Sequence, residues 1–331
     1  MTQKLFITPI NGYGDKIINI LGALVYSYYK KYDLKVCINA NFLHYQFGTD
    51  NFYDLALFNY NEIDVYDNND HYKRIHPDEN ENYLTFINPD GIVSITPFCV
   101  YQKLKHENVN VTFEEVSELF LKFAKNIQPS EIISKYIPDG IEKAYGIHLR
   151  KTDKIKENPD VRHEMSPQEN SVLMENLFHT IRNIIENDEN PSFYVTSEDI
   201  NHENNFIEYI KNIANEKQKP VTILKIDDNI PESAKSIFNF YDILDFFSLS
   251  KCKVIIQGVK YSAFSIVASL VGNETITNLS GSLENDHLCI IKLWNSVLKI
   301  NNVKRLDEEF HANLLEKYKQ LGIFYGEFYV A

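Results

Sequence analysis

The stretch AYGIHLRKTDK, residues 144–154, decides how the fold of this chain is read. Its first seven residues have the composition of a buried β-strand, in which successive side chains point to opposite faces. Ile147 and Leu149 then share one face, and His148 and Arg150 share the other. A polar loop, KTDKIKENPDVRHEMSP, follows, and then a helix over 166–185. That helix carries its own start signal: Ser166 as N-cap, Pro167 at the first position and Glu169 at the third. The rhythm continues outward. SFYVTS (192–197), VTILKI (221–226) and CKVIIQG (252–258) read as strands. Residues 201–216, 242–251 and 261–272 read as the helices between and after them. Strand alternating with helix predicts a parallel sheet covered on both faces. Ligands of such sheets bind beyond the carboxyl ends of the strands. The segments to inspect are therefore 11–15, 148–154, 196–199 and 258–262.

The amino-terminal half starts the same way. KLFITPI reads as a strand, NGYGD as a glycine loop, and residues 17–29 as a buried helix. LKVCINA (34–40), IDVYD (63–67) and YLTFI (83–87) are further strand candidates. Residues 111–127 form an amphipathic helix pattern, with Val116, Leu119, Phe120 and Phe123 on one face. QPSEIISKYIPDG (128–140) holds two prolines and ends in Gly, which places a domain boundary there. The tail, 283–319, reads as two helices. The expected division is 1–140, 141–282 and a helical 283–331 that packs back on the domains.

Composition limits the function. The 331 residues carry 46 acidic and 33 basic side chains, a net charge of −13. A broadly negative surface repels phosphate backbones, which argues against non-specific nucleic-acid binding. The four cysteines form no C-x-x-C pair and no zinc spacing. No run of about 18 apolar residues occurs, and the start of the chain lacks a signal-peptide pattern. These features predict a reduced, cytoplasmic protein of bacterial or viral type. The 35 asparagines point to an AT-rich genome more than to chemistry.

Against that acidic background, Arg150, Lys151 and Lys154 concentrate positive charge at a strand's carboxyl end. An arginine there is costly unless it meets an anion, and its planar fork suits a diphosphate. A local Arg150–Asp153 ion pair is the plainer alternative. Gly12 and Gly14, flanking Tyr13, let backbone approach a ligand at a helix start. The loop lacks the third glycine of a dinucleotide fingerprint. Ser262 stands at a helix start, as a phosphate contact or a simple N-cap. Asp245 falls early in its helix, where the dipole favours a carboxylate. Ser265 and Ser269 read as packing residues. No D-x-D, H-E-x-x-H or G-x-S-x-G motif occurs.

Taken together, these segments resemble the GDP-fucosyltransferase superfamily, which includes the α1,6, α1,2 and protein O-fucosyltransferases. The mark of that group is a strand ending in H-x-R-R-x-D, here His148-Leu149-Arg150-Lys151-Thr152-Asp153, followed by Lys154. Leu244-Asp245 with Leu249-Ser250, and then Tyr261-Ser262, resemble the next two motifs, and the glycine loop at 11–15 resembles the first. Likeness is good over 141–272 and, in the amino-terminal half, confined to the first 30 residues.

The resemblance implies an α/β, GT-B type fold: two Rossmann-like domains facing a central cleft, with the donor in the second. It implies an inverting, metal-independent glycosyltransferase that moves fucose from GDP-fucose to a glycan hydroxyl, with no cofactor. The same fold using another GDP-sugar, or an inactive nucleotide-sugar-binding module, are the alternatives. Carried over, Arg150 holds the β-phosphate and stabilises departing GDP, while His148 and Asp245 contact guanine. Asp153 and Lys154 support the nucleotide and reacting centre, and Ser262 contacts the pyrophosphate. Gly12, Tyr13 and Gly14 close on the donor. Lys151 replaces the second arginine, keeping the charge and losing the fork. Glu157 is the candidate base for the acceptor hydroxyl, one residue displaced from the family position, with Asp160 and Glu164 in reserve.

Overall fold

The computed structural model describes residues 4–7, 12–37, 45–47, 56–58, 64–65, 73–74, 84–87, 97–150, 155, 165–226, 229–235, 240–259, 262–272, 275–278, 299–301 and 327–330. They fall into two compact units, residues 1–130 with 306–331, and residues 131–305.

The first unit opens with β1 (Lys4–Ile7), α1 (Tyr13–Lys30) and β2 (Asp33–Cys37). Short strands follow: β3 (Tyr45–Phe47), β4 (Ala56–Phe58), β5 (Asp64–Val65), β6 (Lys73–Arg74) and β7 (Leu84–Ile87). Then come α2 (Pro97–His106), α3 (Phe113–Lys125) and β8 (Ile127–Pro129). β1, β2 and β4 form a parallel sheet in that order. α1 is apolar on nearly all sides and buried from Tyr13 through Ser27 except at Asp15 and Lys16, as an α/β core helix must be. α3 begins on a capping box between Thr112 and Glu115 and buries Val116, Phe120 and Phe123. Leu119 is only partly covered. The predicted helix over 111–127 is thus shorter at both ends, and Ile127 starts a strand paired with β3. α2 had no counterpart in the sequence reading.

The second unit contains α4 (Glu131–Ser134), β9 (Ala144–Leu149), α5 (Pro167–Asn187), β10 (Ser192–Ser197) and α6 (Ile200–Glu216). β11 (Thr222–Leu224), α7 (Glu232–Lys235), α8 (Phe240–Lys251), β12 (Val254–Gly258) and α9 (Ala263–Val271) follow. β13 (Thr275–Asn278) and β14 (Lys299–Asn301) complete it. The strands form one six-stranded sheet, order β11-β10-β9-β12-β13-β14, parallel throughout. The predicted α/β class and parallel sheet are present. The helical reading of the tail is corrected at Lys299–Asn301, which pairs with β13 as a strand. A three-residue strand carries too little pattern to be seen against flanking apolar residues. β15 (Glu327–Val330) returns to the first unit and pairs antiparallel with β7. The rest of the tail lies outside the described residues.

α5 starts as its sequence predicts. Ser166 Oγ accepts from the Glu169 amide at 3.2 Å, and Glu169 Oε2 accepts from the Ser166 amide at 2.8 Å. Leu173, Leu177, Ile181 and Ile185 form its buried stripe. They pack with Ile147, Leu149, Phe193, Val195 and Ile256 on one face of the sheet, together with α6. The opposite face receives α8 and α9. No described helix is long and apolar enough to cross a membrane.

Candidate functional site

The chain enters the sheet at β9, moves outward to β10 and β11, then returns to β9's other side with β12. Successive connections therefore leave β9 and β12 in opposite directions. That switch point opens a crevice at the strands' carboxyl ends. His148, one residue from the end of β9, pairs in register with Thr196 of β10 and Gln257 of β12. Since Ile147, Leu149, Val195 and Ile256 face α5 and α6, these three polar side chains face α8 and α9.

Each of the three is almost fully buried. Thr196 Oγ1 donates to Asp245 Oδ2 at 2.7 Å, and Tyr194, one pleat below, donates to Asp245 Oδ1. Gln257 Nε2 donates to Ser265 Oγ at 2.9 Å. The ring of His148 lies 5.2 Å from that of Phe264, which meets Phe246 edge-on. A polar cluster bordered by aromatic rings thus sits between the strand ends and two helices. On the opposite face Gly258 lies against α5: a Cβ there would come within 2.6 Å of Leu149 Cδ2 and 3.2 Å of Leu177 Cδ2. Only glycine lets β12 lie this close.

Two atoms in this cluster are unpaired. His148, 7% exposed, leaves Nδ1 without a partner, and Ser262, 3% exposed, leaves Oγ without one. Ser262 occupies the N-cap position of α9 but makes no side-chain capping bond. A buried polar atom left unpaired costs about 1–3 kcal/mol, so two in one pocket call for a ligand or a function.

Charge is also unusual here. Burial, and secondly the charge of Arg150, push the His148 imidazole down to about 4, against a weaker pull from Glu198. It is neutral at physiological pH and offers one donor and one acceptor nitrogen. Burial pushes the Asp245 carboxyl up to about 6 despite its two hydroxyl donors, and Asp242 adds to the rise. Glu203, in the first turn of α6, is pushed up to about 7 by burial and then by Asp245. Arg150 follows β9 directly and is partly covered.

The structure therefore brings together His148, Arg150, Asp245 and Ser262 in the second unit. Asp245 is the sixth residue of α8 rather than early in it, so β10's hydroxyls hold the carboxylate, not the helix dipole. Helix α8 spans Phe240–Lys251 and so starts ahead of the predicted 242. Lys151, Asp153, Lys154 and Glu157 lie outside the described residues, as do the reserves Asp160 and Glu164. Gly12, Tyr13 and Gly14 belong to the first unit. Gly12 is exposed at the N-cap of α1, and Tyr13 and Gly14 are buried. Sequence reasoning marked Thr196 only as part of the segment 196–199, and missed Tyr194 and Gln257. The signal for them was a polar side chain within strands otherwise apolar.

A cavity of about 1130 Å3 lies beside α5, towards the opposite edge of the sheet, lined by Tyr145, His179, Asn183 and Asp188 among others. None of the unpaired buried atoms lines it.

No protein-family model matches the chain, and no curated protein matches it. Among solved structures, it is similar to fucosyltransferase NodZ from Bradyrhizobium, at 12% identity and TM-score 0.45, over 82% of this chain and 94% of that one. It is similar to a mutant of Arabidopsis thaliana FUT1 in complex with GDP, at 11% identity and TM-score 0.48, over 82% and 69%. It is also similar to POFUT1 in complex with GDP, at 11% identity and TM-score 0.47, over 84% and 98%.

Proposed function

We propose that the chain is an inverting, metal-independent glycosyltransferase that moves fucose from GDP-fucose to a glycan hydroxyl. The observation that carries this is the pair of unpaired buried atoms, His148 Nδ1 and Ser262 Oγ, at the switch point of a parallel sheet. A neutral imidazole suits the polar edge of a base. A hydroxyl at a helix N-terminus suits a phosphate oxygen, with the free amides of the first turn behind it. The H-x-R-K-x-D pattern supplies the rest. Arg150 binds the β-phosphate as negative charge develops there, which is the largest single lever on such a transition state. Lys151, Asp153 and Lys154 complete the donor side, and the glycine loop with Tyr13 acts on the donor from the first domain.

The acceptor oxygen attacks the sugar's anomeric carbon from the face opposite GDP. The new C–O bond forms as the carbon–phosphate-oxygen bond breaks. GDP carries away that electron pair, and the acceptor proton passes to a carboxylate, assigned to Glu157. In this reading residues 1–140 choose the acceptor and 141–282 hold the donor.

The test is thermal shift against GDP, UDP and ADP. Ligand at about 100 times its dissociation constant adds about 2.7 kcal/mol of stability, so GDP raises the melting temperature well above the other two. No preference for GDP overturns the reading. With GDP-fucose and glycan acceptors, GDP release persists in EDTA; loss that added divalent metal restores contradicts the metal-free route.

A further inference from the structure

The turn from β12 into α9 is clamped from the inside by two side chains. Gln257 lies one residue before the end of β12 and is only 1% exposed. A buried amide is costly in a strand, and methionine would fill the same space without that cost. Its Nε2 donates to Ser265 Oγ at 2.9 Å, and Ser265 Oγ makes a longer bond, 3.4 Å, to the Ser262 carbonyl. The Ile266 amide donates to the same carbonyl at 3.2 Å. Ser265 reads from the sequence as a packing residue and is here a hydrogen-bonded link between strand and helix. The main chain of Ser262 is thus held twice over. Its hydroxyl, almost fully buried, has no partner and makes no capping bond to its own helix. That is the reverse of an ordinary N-cap serine, whose hydroxyl serves the helix amides. Gln257 also pairs in register with His148, which carries the other unpaired atom.

We propose that Gln257 is a positioning residue of this site: acting through Ser265, it holds the first turn of α9 against β12 so that the Ser262 hydroxyl faces the donor's phosphates rather than its own helix. The inference rests on the nucleotide reading above and deepens it. The gain is preorganisation. A hydroxyl already fixed in place, beside first-turn amides that have no intrahelical partner, gives up little freedom when a phosphate arrives. Released from the strand, the first turn lets Ser262 swing back to cap its own helix, and a phosphate must then compete with that bond. Loss of the clamp therefore weakens the part of binding that depends on phosphate and spares the part that depends on the nucleoside.

The experiment is calorimetric titration of the full chain with guanosine and GDP, beside thermal melts. It compares wild type, Ser262→Ala, Gln257→Met, Ser265→Ala and the double variant Gln257→Met with Ser265→Ala. The readout is the ratio of GDP affinity to guanosine affinity. Gln257→Met and Ser262→Ala are each expected to lower that ratio roughly 10-fold, the worth of one hydrogen bond to a charged group. Gln257→Met and Ser265→Ala each leave a buried partner unpaired and lower the melting temperature. The double variant removes both polar groups and brings the melt back towards wild type. It is expected to keep the lowered ratio, which a purely structural role would restore together with the melt, and it serves alone should the single variants not fold. Gln257→Met added to Ser262→Ala is expected to lower the ratio by less than about twofold more, because both act on one contact. Folded variants that keep the wild-type ratio, or a full further 10-fold loss on the Ser262→Ala background, overturn the role of Gln257 and leave the nucleotide reading standing. A wild type that binds GDP no more tightly than guanosine overturns both.

Discussion

The two ends of the six-stranded sheet treat their carboxylates in opposite ways. At the amino-terminal edge, Asp188 Oδ2 accepts from Tyr145 at 3.1 Å and from Lys253 at 3.0 Å, while Oδ1 accepts from the Asn190 amide at 3.1 Å. Lys253 also lies 3.6 Å from the centre of the Tyr145 ring. Every group has a partner of opposite character, and Lys253 first, with smaller help from Asn190 and Tyr145, holds the Asp188 carboxyl below its usual range. At the carboxyl edge, Asp245 has neutral hydroxyls for partners, a second carboxylate nearby, and two unpaired atoms across the pocket. One edge pairs its carboxylate with a cation, and the other pairs it with neutral hydroxyls.

The sharpest way to break this contrast is to empty the carboxyl edge of its cation. Arg150→Ala is expected to lower transfer by roughly 100- to 1000-fold, because the proposed mechanism gives its guanidinium the charge that develops on the departing phosphate. The variant is expected to stay folded, with any loss in melting temperature small against the loss in rate. Rates of GDP release measured beside thermal melts decide it. Near-normal activity with a lowered melt would make Arg150 a structural residue and erase the contrast.

Much of this edge was legible in the sequence. The alternation in AYGIHLR placed His148 and Arg150 on one face because a parallel strand leaves no other choice. The start of α5 was legible because Ser166, Pro167 and Glu169 form a local signal that needs no tertiary contact. Ser262 was legible as a helix start, though not as an unpaired hydroxyl, since pairing depends on what the neighbouring strand offers. The anchoring of Asp245 was hidden for the same reason: Tyr194 and Thr196 lie about fifty residues away, and only the sheet brings them to α8. β14 was hidden because three residues cannot display a period.

pH sharpens the contrast next. Asp245 and Glu203 are pushed up to about 6 and about 7. The folded state therefore holds their protons more tightly than the unfolded one. Between about pH 4 and 7 the unfolded chain releases protons first, and stability falls as pH rises. His148 works the other way, because its folded value is depressed to about 4. Its contribution is present above about pH 6.5 and is lost as pH falls through 4. The two trends oppose each other below pH 6.5, leaving Glu203 to dominate just above it. Glu203→Gln is then expected to raise the apo melting temperature at pH 8 by on the order of 2 °C, with solvent screening already discounted, and to leave it unchanged at pH 5. An equal rise at both values would assign the effect to packing.

At the amino-terminal edge the expected signs reverse. Lys253→Ala removes the Asp188 ion pair and the contact over Tyr145, a loss of about 0.5–1 kcal/mol for partly exposed groups. GDP affinity is expected to stay within about twofold of wild type, since the lysine sits at the far end of the strands from the pocket. Denaturant melts and titrations on one preparation separate the two effects. A lysine variant with weakened GDP binding would mean that the ends of the sheet are coupled.

The smallest expected effect tests the same independence from the stabilising side. α6 ends at the amino-terminal edge, where Gln218 adopts a left-handed conformation, φ 53°, and donates its amide to the Asn215 carbonyl at 3.1 Å. The Lys219 amide then closes on Ala214 at 2.9 Å, so the turn is a helix stop that the chain needs. A side chain there costs roughly 1 kcal/mol from its Cβ, and glycine's greater freedom in the unfolded chain takes back about half of that. Gln218→Gly is expected to raise stability by about 0.5 kcal/mol in denaturant melts and to leave nucleotide binding untouched. The amino end of the same helix follows β10 at the carboxyl edge. If relaxing one end of α6 shifts GDP affinity at the other, the helix moves as a unit with the bound nucleotide, and the two edges of the sheet belong to one coupled element.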